Sequence, residues 1–376
     1  MANIFTAIAP VAYSAAQEVS AEPIGIVDKI STSFDSKGVA IGDSVKVPYA
    51  PVATLGNFTP AMTPTAGTDK TASTVSVAIT KSQFTSWNLT GEQIRSLENG
   101  GNYQEWVRQL LAQGMRSLRN AMEIDAWVAV KEGASRAIGS AGTAPFGSDI
   151  NLIAEARKTL RDNGAPLTDV SMALDSAAWF NLLKLGIVQQ AYQAGSDQER
   201  RTGNVMKQFG IGLVESAGIG LHTKGTGASY VTSGSTAKGI TDIALVTGTG
   251  TVLAGDVVTF AADTVNKYVI GAGVAAPGTI SLNRPGARVT IATANAMTIG
   301  NNFTANVAFE RSAVVGVVRP PIIPANPTIN QMVISDQFGM SYLLLDIAGY
   351  GMRTWELHAA WGFKAVQPEH IVTIMG

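Results

Sequence analysis

The chain contains no cysteine. That excludes disulfides, thiolate metal sites and a cysteine nucleophile. Charge is scarce as well. Asp, Glu, Lys and Arg make up 15% of the 376 residues, against the usual quarter. Its 27 basic and 28 acidic side chains leave a net charge of −1, and no run of five like charges occurs. A dedicated nucleic-acid binder carries a basic excess or stripe, and this sequence has neither. Aromatic residues reach only 7%, and there are three histidines, His222, His358 and His370. No two histidines stand at i,i+4 and no H-E-x-x-H occurs, so a zinc site is not expected. Long hydrophobic runs are missing too. Residues 289–309 are uncharged, but their Thr and Asn content rules out a membrane span.

What is present is 46% apolar residues, enough to bury a sizeable core, in a length that suggests two or three folding units. Ala, Gly and Thr fill the place of the missing charge. A chain so poor in surface charge is expected to cover part of its surface with other protein. The first seventeen residues, "MANIFTAIAPVAYSAAQ", imitate a secretion signal, but they lack a basic start and Pro10 breaks the apolar stretch.

Along the chain, residues 1–34 read as a terminal arm, with Ile4, Ile8, Val11 and Ala15 at helical spacing. "DSVKVPYAPV" (43–52) and "STVSVAITK" (73–81) alternate as strands. Between them "GNFTPAMTPTAGTDKTAST" (56–74) has only Phe58 and Met62 as large apolar residues, and only Asp69 and Lys70 as charges. A hairpin with such a tip is marginal alone and needs a partner. Residues 102–134 form the strongest helix signal, with Asn102 and Glu105 placed as a capping box. Its stripe is Val107, Leu110, Leu111, Gly114, Leu118, Ala121, Met122 and Ala129; Arg119 and Glu123 make an i,i+4 pair, and Gly133 is the stop. A helix over 150–164, a strand over 169–175 and a short helix over 176–186 capped by Asp175 or Ser176 read as α/β material. From 236 to about 300, short strands separated by Gly, Pro and Asn suggest a small inserted β-domain.

Catalytic motifs are missing. The glycine clusters at 210–220 and 248–255 do not complete G-x-G-x-x-G, because Glu215 and Leu253 stand where the last glycine belongs, and they read as turns. There is no G-x-x-x-x-G-K-[ST] and no G-x-S-x-G elbow. Asp256, following Gly255, reads as a turn residue. No catalytic, cofactor-binding or metal-binding residues are assigned, and no enzymatic activity or cofactor is expected.

The order of parts nonetheless resembles a known family. "RRTGNVMKQFGIGLVESAGIG" (200–220), "AGDVVTFA" (254–261), "NVAFERSAVVGVVRPP" (306–321) and "WELHAAWGFKAVQPEHIVTIMG" (355–376) resemble segments of tailed-bacteriophage major capsid proteins with the Hong Kong 97-type fold, and among these the podovirus-type coat proteins with an inserted β-domain. The resemblance implies an α+β fold: an N-terminal arm at 1–34 and an extended loop (E-loop) hairpin at 35–88. A peripheral domain with a spine helix is implied at 89–145 and 326–363, an axial domain at 146–235, 300–325 and 364–376, and the inserted β-domain at 236–299. It implies a structural protein of the virion, assembled in the host cytoplasm into pentamers and hexamers of an icosahedral shell around double-stranded DNA. A scaffolding protein and a portal protein are implied partners, with no membrane and no sequence-specific DNA binding. The implied shell matures from a precursor that expands, with hinges at 97–102 and around 133–142. Candidate contacts between subunits are Phe58, Met62, Asp69, Lys70, Ile4, Ile8, Arg108 and Arg116; Lys70 is the residue to watch for covalent cross-linking. Three alternatives stay open: an encapsulin-like cellular nanocompartment shell, a surface-layer or adhesin protein, and an enzyme without recognisable motifs.

Overall fold

The computed structural model describes residues 5–18, 25–34, 39–49, 73–186, 207–275, 277–324, 326, 329–336 and 339–376. Among them are five α-helices: α1 (Phe5–Glu18), α2 (Gly91–Asn99), α3 (Tyr103–Glu132), α4 (Asn151–Asp162) and α5 (Ser176–Lys184). At ~1.5 Å per residue, α3 is a rod of roughly 45 Å. It buries Val107, Leu111, Gly114, Leu118 and Met122 of the expected stripe, and adds Met115, Ala126, Trp127 and Val130.

Two sheets pack around this rod. In the six-stranded one, the long strand Met352–Ala365 pairs antiparallel with Lys81–Thr90, Ser341–Ala348 and Val314–Arg319. Trp355, Trp361, Leu344 and Leu357 are fully buried or nearly so. The arm is more closely integrated than a free extension. Ala12, Ala15 and Ala16 of α1 are buried in the same core as α3, and Ser31–Phe34 runs parallel to Val314–Arg319. Residues 314–319, grouped from the sequence with 303–310, therefore belong to a different sheet from them.

The second sheet has thirteen strands. Its middle is Arg136–Gly139, Ile371–Met375, Phe303–Glu310, Val170–Leu174 and Ile211–Glu215. Both α4 and α5 cover it through Ile153, Ala156, Leu160, Ala178 and Leu182. Arg136–Gly139, inside a segment expected to serve as a hinge, is a paired strand between Ile371–Met375 and Asp263–Ala272. Beyond Asp263–Ala272 the strands form a β-lobe with its own core of Tyr230, Ile243, Phe260, Tyr268, Ile280 and Met297. Gly210, Gly248, Gly250 and Gly255 all have positive φ, as turn glycines do.

The hairpin is built from Ser44–Tyr49 and Ser73–Ala78, with Val45 opposite Val77 and Val47 opposite Val75. Its root packs on Ile79, Val315, Val317 and Ala360. The backbone comes so close there that a Cβ on Gly362 would stand 2.0 Å from the Ala78 carbonyl oxygen.

Helix α2 is an addition to the sequence reading, and the capping box belongs to it. The Thr90 hydroxyl accepts from Gln93 N at 3.3 Å, and Gln93 Oε1 accepts from Thr90 N at 3.0 Å. Asn102, expected to cap α3, makes no side-chain cap bond. The reason is local: the Gly100–Gly101 turn feeds α2 directly into α3, and Asn102 N donates to Leu97 O at 3.1 Å. Asn102 consequently has φ −103° and ψ 2°, not the extended conformation a capping side chain needs. Glu105 turns instead to Arg108 Nε and Gln109 Nε2, each at 2.9 Å. Among the described residues no helix is long and apolar enough to cross a membrane.

Candidate assembly interface

The sequence-derived contact residues fall unevenly. Phe58, Met62, Asp69, Lys70 and Ile4 lie outside the described residues, and so does the side chain of Ile8 in α1. Arg108 and Arg116 are partly exposed on α3, eight residues apart, and the Arg108 guanidinium is paired with Glu105. Large apolar side chains stand exposed at Tyr13, Phe84, Phe180, Val265, Ile322 and Tyr350. Tyr350 lies in the turn between Ser341–Ala348 and Met352–Ala365.

Helix α3 is where the parts are tied together, and its ties are polar. The sequence pairs Arg119 with Glu123 as a helix-surface ion pair; the structure buries both, each 1% exposed. Glu123 Oε1 accepts from Gly25 N at 2.9 Å, Ile26 N at 2.8 Å and the Ser216 hydroxyl at 2.5 Å, while Oε2 accepts from Val27 N at 2.9 Å. Arg119 Nη2 donates to Asp28 at 3.1 Å. Together they clamp the 25–28 turn onto α3. Burial pushes the Glu123 pKa up, and the Ser216 hydroxyl and the three amides pull it part of the way back.

Further along α3, Trp361 Nε1 and Lys81 Nζ donate to the Asp125 carboxylate at 2.7 and 2.6 Å, joining the helix to the six-stranded sheet. Trp127 Nε1 donates to Ala305 O at 2.8 Å, joining it to the thirteen-stranded one. At the C-terminal end Asn283 Nδ2 donates to the carbonyl of Glu132, the last residue of α3, and to that of Ala134 just beyond it, both at 2.7 Å, and so docks the β-lobe on the end of the helix. His222 lies beside them, between Lys131 and Asp256. Asp256 does occupy a turn, as read from the sequence, but it is also a buried partner of this histidine.

The three histidines are not brought together. His358 bonds Glu356 at 2.9 Å and stacks on Phe84 with ring centroids 5.1 Å apart. Among the described residues no group of three potential metal ligands forms. The geometry of the described residues binds one part of the chain to another.

No family model matches the sequence, and neither does any curated protein. Solved structures do. A chain from Mycobacterium phage Che8 superposes with a TM-score of 0.50 at 15% identity, over 95% of this chain and 93% of that one. A chain from the capsid of the cyanophage P-SCSP1u does so with a TM-score of 0.50 at 12% identity, over 95% and 89%. The chain has the Hong Kong 97-type capsid fold. At these identities the fold is what is shared. Within this Hong Kong 97-type architecture, α3 is the element to which arm, sheets and lobe are all fastened.

Proposed function

We propose that the chain is a major capsid protein that self-assembles into the icosahedral shell around the double-stranded DNA of a tailed phage, with no enzymatic activity. The observation that carries this reading is the likeness over 95% of the chain to a capsid subunit that it matches over 89% of that subunit's own length. Composition supports it. Scarce surface charge suits a subunit that covers itself with neighbours, and near-neutral charge suits a wall that contains DNA without gripping it. Many modest contacts repeated by symmetry give a stable shell.

The segments then take the roles of arm (1–34), E-loop (35–88), peripheral domain (89–145, 326–363), axial domain (146–235, 300–325, 364–376) and inserted β-domain (236–299), except that 314–319 goes with the sheet of the peripheral segments. Assembly is guided by a scaffolding protein around a portal, and the precursor expands on packaging. The test is electron microscopy of the purified full chain, expressed alone. Closed shells or capsomers of uniform size are expected. A monodisperse monomer at high concentration overturns the reading, and closed shells that always purify with an enzyme cargo assign the chain to a nanocompartment.

A further inference from the structure

The two-residue turn Phe209–Gly210 joins Lys207–Gln208 to Ile211–Glu215, with Gln208 opposite Ile211. Both turn residues have positive φ, 49° and 82°. That is the pattern of a type I′ hairpin turn, which Asn-Gly fills at least cost. A bulky side chain in the left-handed region is strained. Among the described residues five non-glycine positions have positive φ, and three of them carry the short side chains of Ser229, Thr247 and Ala294. The fourth, Phe146, has φ 61°, and burial offsets it: it is 2% exposed, in the core that α4 and α5 cover. Phe209 has no such compensation, being 48% exposed. The turn is nonetheless held firmly. Arg157 of α4 donates to the Phe209 carbonyl, and a Cβ on Gly210 would stand 3.0 Å from Arg157 Nη1. The strain is kept, and its effect is to aim an aromatic ring at the outside of the subunit.

A receptor of matching size lies on the same sheet. The 139–149 loop, Leu152 of α4 and Met375 line a cavity of about 260 Å³, and ~150 Å³ is enough to hold a benzene ring. Pro145, Phe146, Leu152 and Met375 make it apolar, and the exposed residues Ala144 and Asp149 stand at its mouth. Within one chain this cavity cannot receive Phe209. The strand order puts Arg136–Gly139 and Lys207–Gln208 five spacings apart, roughly 24 Å at ~4.8 Å each. The two features also lie at opposite ends of the strands. Met375 is level with Ala305, whereas Ser171, paired with Gly212 beside the turn, is level with Phe309. Their charges are opposite as well. Exposed Lys207 flanks the ring, and exposed Asp149 edges the cavity. Asp149 Oδ1 accepts from Asn151 N at 2.9 Å, which fixes the carboxylate at the end of the loop.

We propose that Phe209 of one copy of this chain inserts into the 139–149 cavity of the next copy, with Lys207 set against Asp149 across the contact. The inference rests on the shell reading above and names one of its contacts. Ring and cavity occupy different surfaces, so the contact is head-to-tail. Each copy offers Phe209 to one neighbour and its cavity to the other, and the series closes into a ring when the rotation fits. An aromatic side chain that enters a neighbour's pocket is desolvated, and binding energy concentrates at such anchors. A turn already fixed in the bound shape loses little freedom on docking. The flanking charges orient the approach and exclude wrong partners.

The test compares the full wild-type chain with four variants by sedimentation and electron microscopy of the expressed protein. Phe209→Asn gives the turn a residue that suits it, so the melting temperature of the unassembled subunit should rise. Its yield of capsomers and shells should nevertheless fall about tenfold or more. Ala144→Trp plugs the mouth of the cavity from an exposed position, and should lose assembly to the same degree with its melting temperature unchanged. Lys207→Glu should weaken assembly, and Lys207→Glu/Asp149→Lys should regain it, a rescue that no role inside one subunit produces. Assembly of Phe209→Asn or Ala144→Trp at the wild-type level, a lowered melting temperature in Phe209→Asn, or no rescue by the charge exchange overturns the contact while leaving the shell reading in place. A wild-type chain that never assembles overturns the shell reading, and this contact with it.

Discussion

Glu123 illustrates how one side chain can decide the course of a whole segment. It accepts four hydrogen bonds, three of them from consecutive amides of the 25–27 turn. Glu123→Ala leaves those buried donors without an acceptor, at about 1–3 kcal/mol each where water cannot replace it. The expected result is a lowered melting temperature, with residues 25–34 losing exchange protection first. Glu123→Gln keeps an acceptor and should cost less. The two forms also separate by pH. Burial raises the Glu123 pKa above its ordinary value of 4.5, so the folded chain binds this proton more readily than the unfolded one. Stability from the group therefore grows as pH falls through the raised pKa towards 4.5. Thermal melts of wild type against Glu123→Gln should show the gap widening in favour of the wild type over that window.

Among the elements, α2 and the start of α3 make a paired test of capping. Thr90 holds a reciprocal box with Gln93, whereas Asn102 holds none. Thr90→Ala should cost about 1 kcal/mol and fray residues 91–96 in hydrogen exchange. Asn102→Ala should leave both helices as they are. The hairpin makes a different point about elements. Its strands Ser44–Tyr49 and Ser73–Ala78 pair as a sheet only with each other among the described residues, so what fixes them is their root on Val315, Val317 and Ala360 and the Lys364 ammonium, which donates to the Ser76 carbonyl at 3.2 Å.

For the molecule as a whole, the shell reading places Phe58 and Met62 against a neighbouring subunit. The double variant Phe58→Ala/Met62→Ala should fold, with circular dichroism and melting unchanged, yet form fewer closed shells by sedimentation and microscopy. A loss of subunit stability of similar size would mean that these side chains serve their own chain instead.

Periodicity made the elements readable. The stripe of α3, the alternation of 44–49 and 73–78, the strand at 170–174 and the Asp175-capped helix all follow from neighbours a few residues apart, and local backbone geometry dictates them. Helix α2 was legible too, in Thr90 and Gln93 three residues apart, though the Gly100–Gly101 turn reads equally well as an open hinge. The ties on α3 have no such signal. Glu123 meets Gly25 across 98 positions, Lys131 meets His222 across 91 and His222 meets Asp256 across 34. Arg119 and Glu123 look like an ordinary surface pair because spacing alone puts them on one face; only packing decides that the face is buried and that each charge must find a partner inside. Local sequence thus determined which segments are helix or strand and how the parts are ordered. Tertiary structure alone decided which sheet 314–319 joins and which buried charges hold the parts together, because those choices depend on what lies across the core.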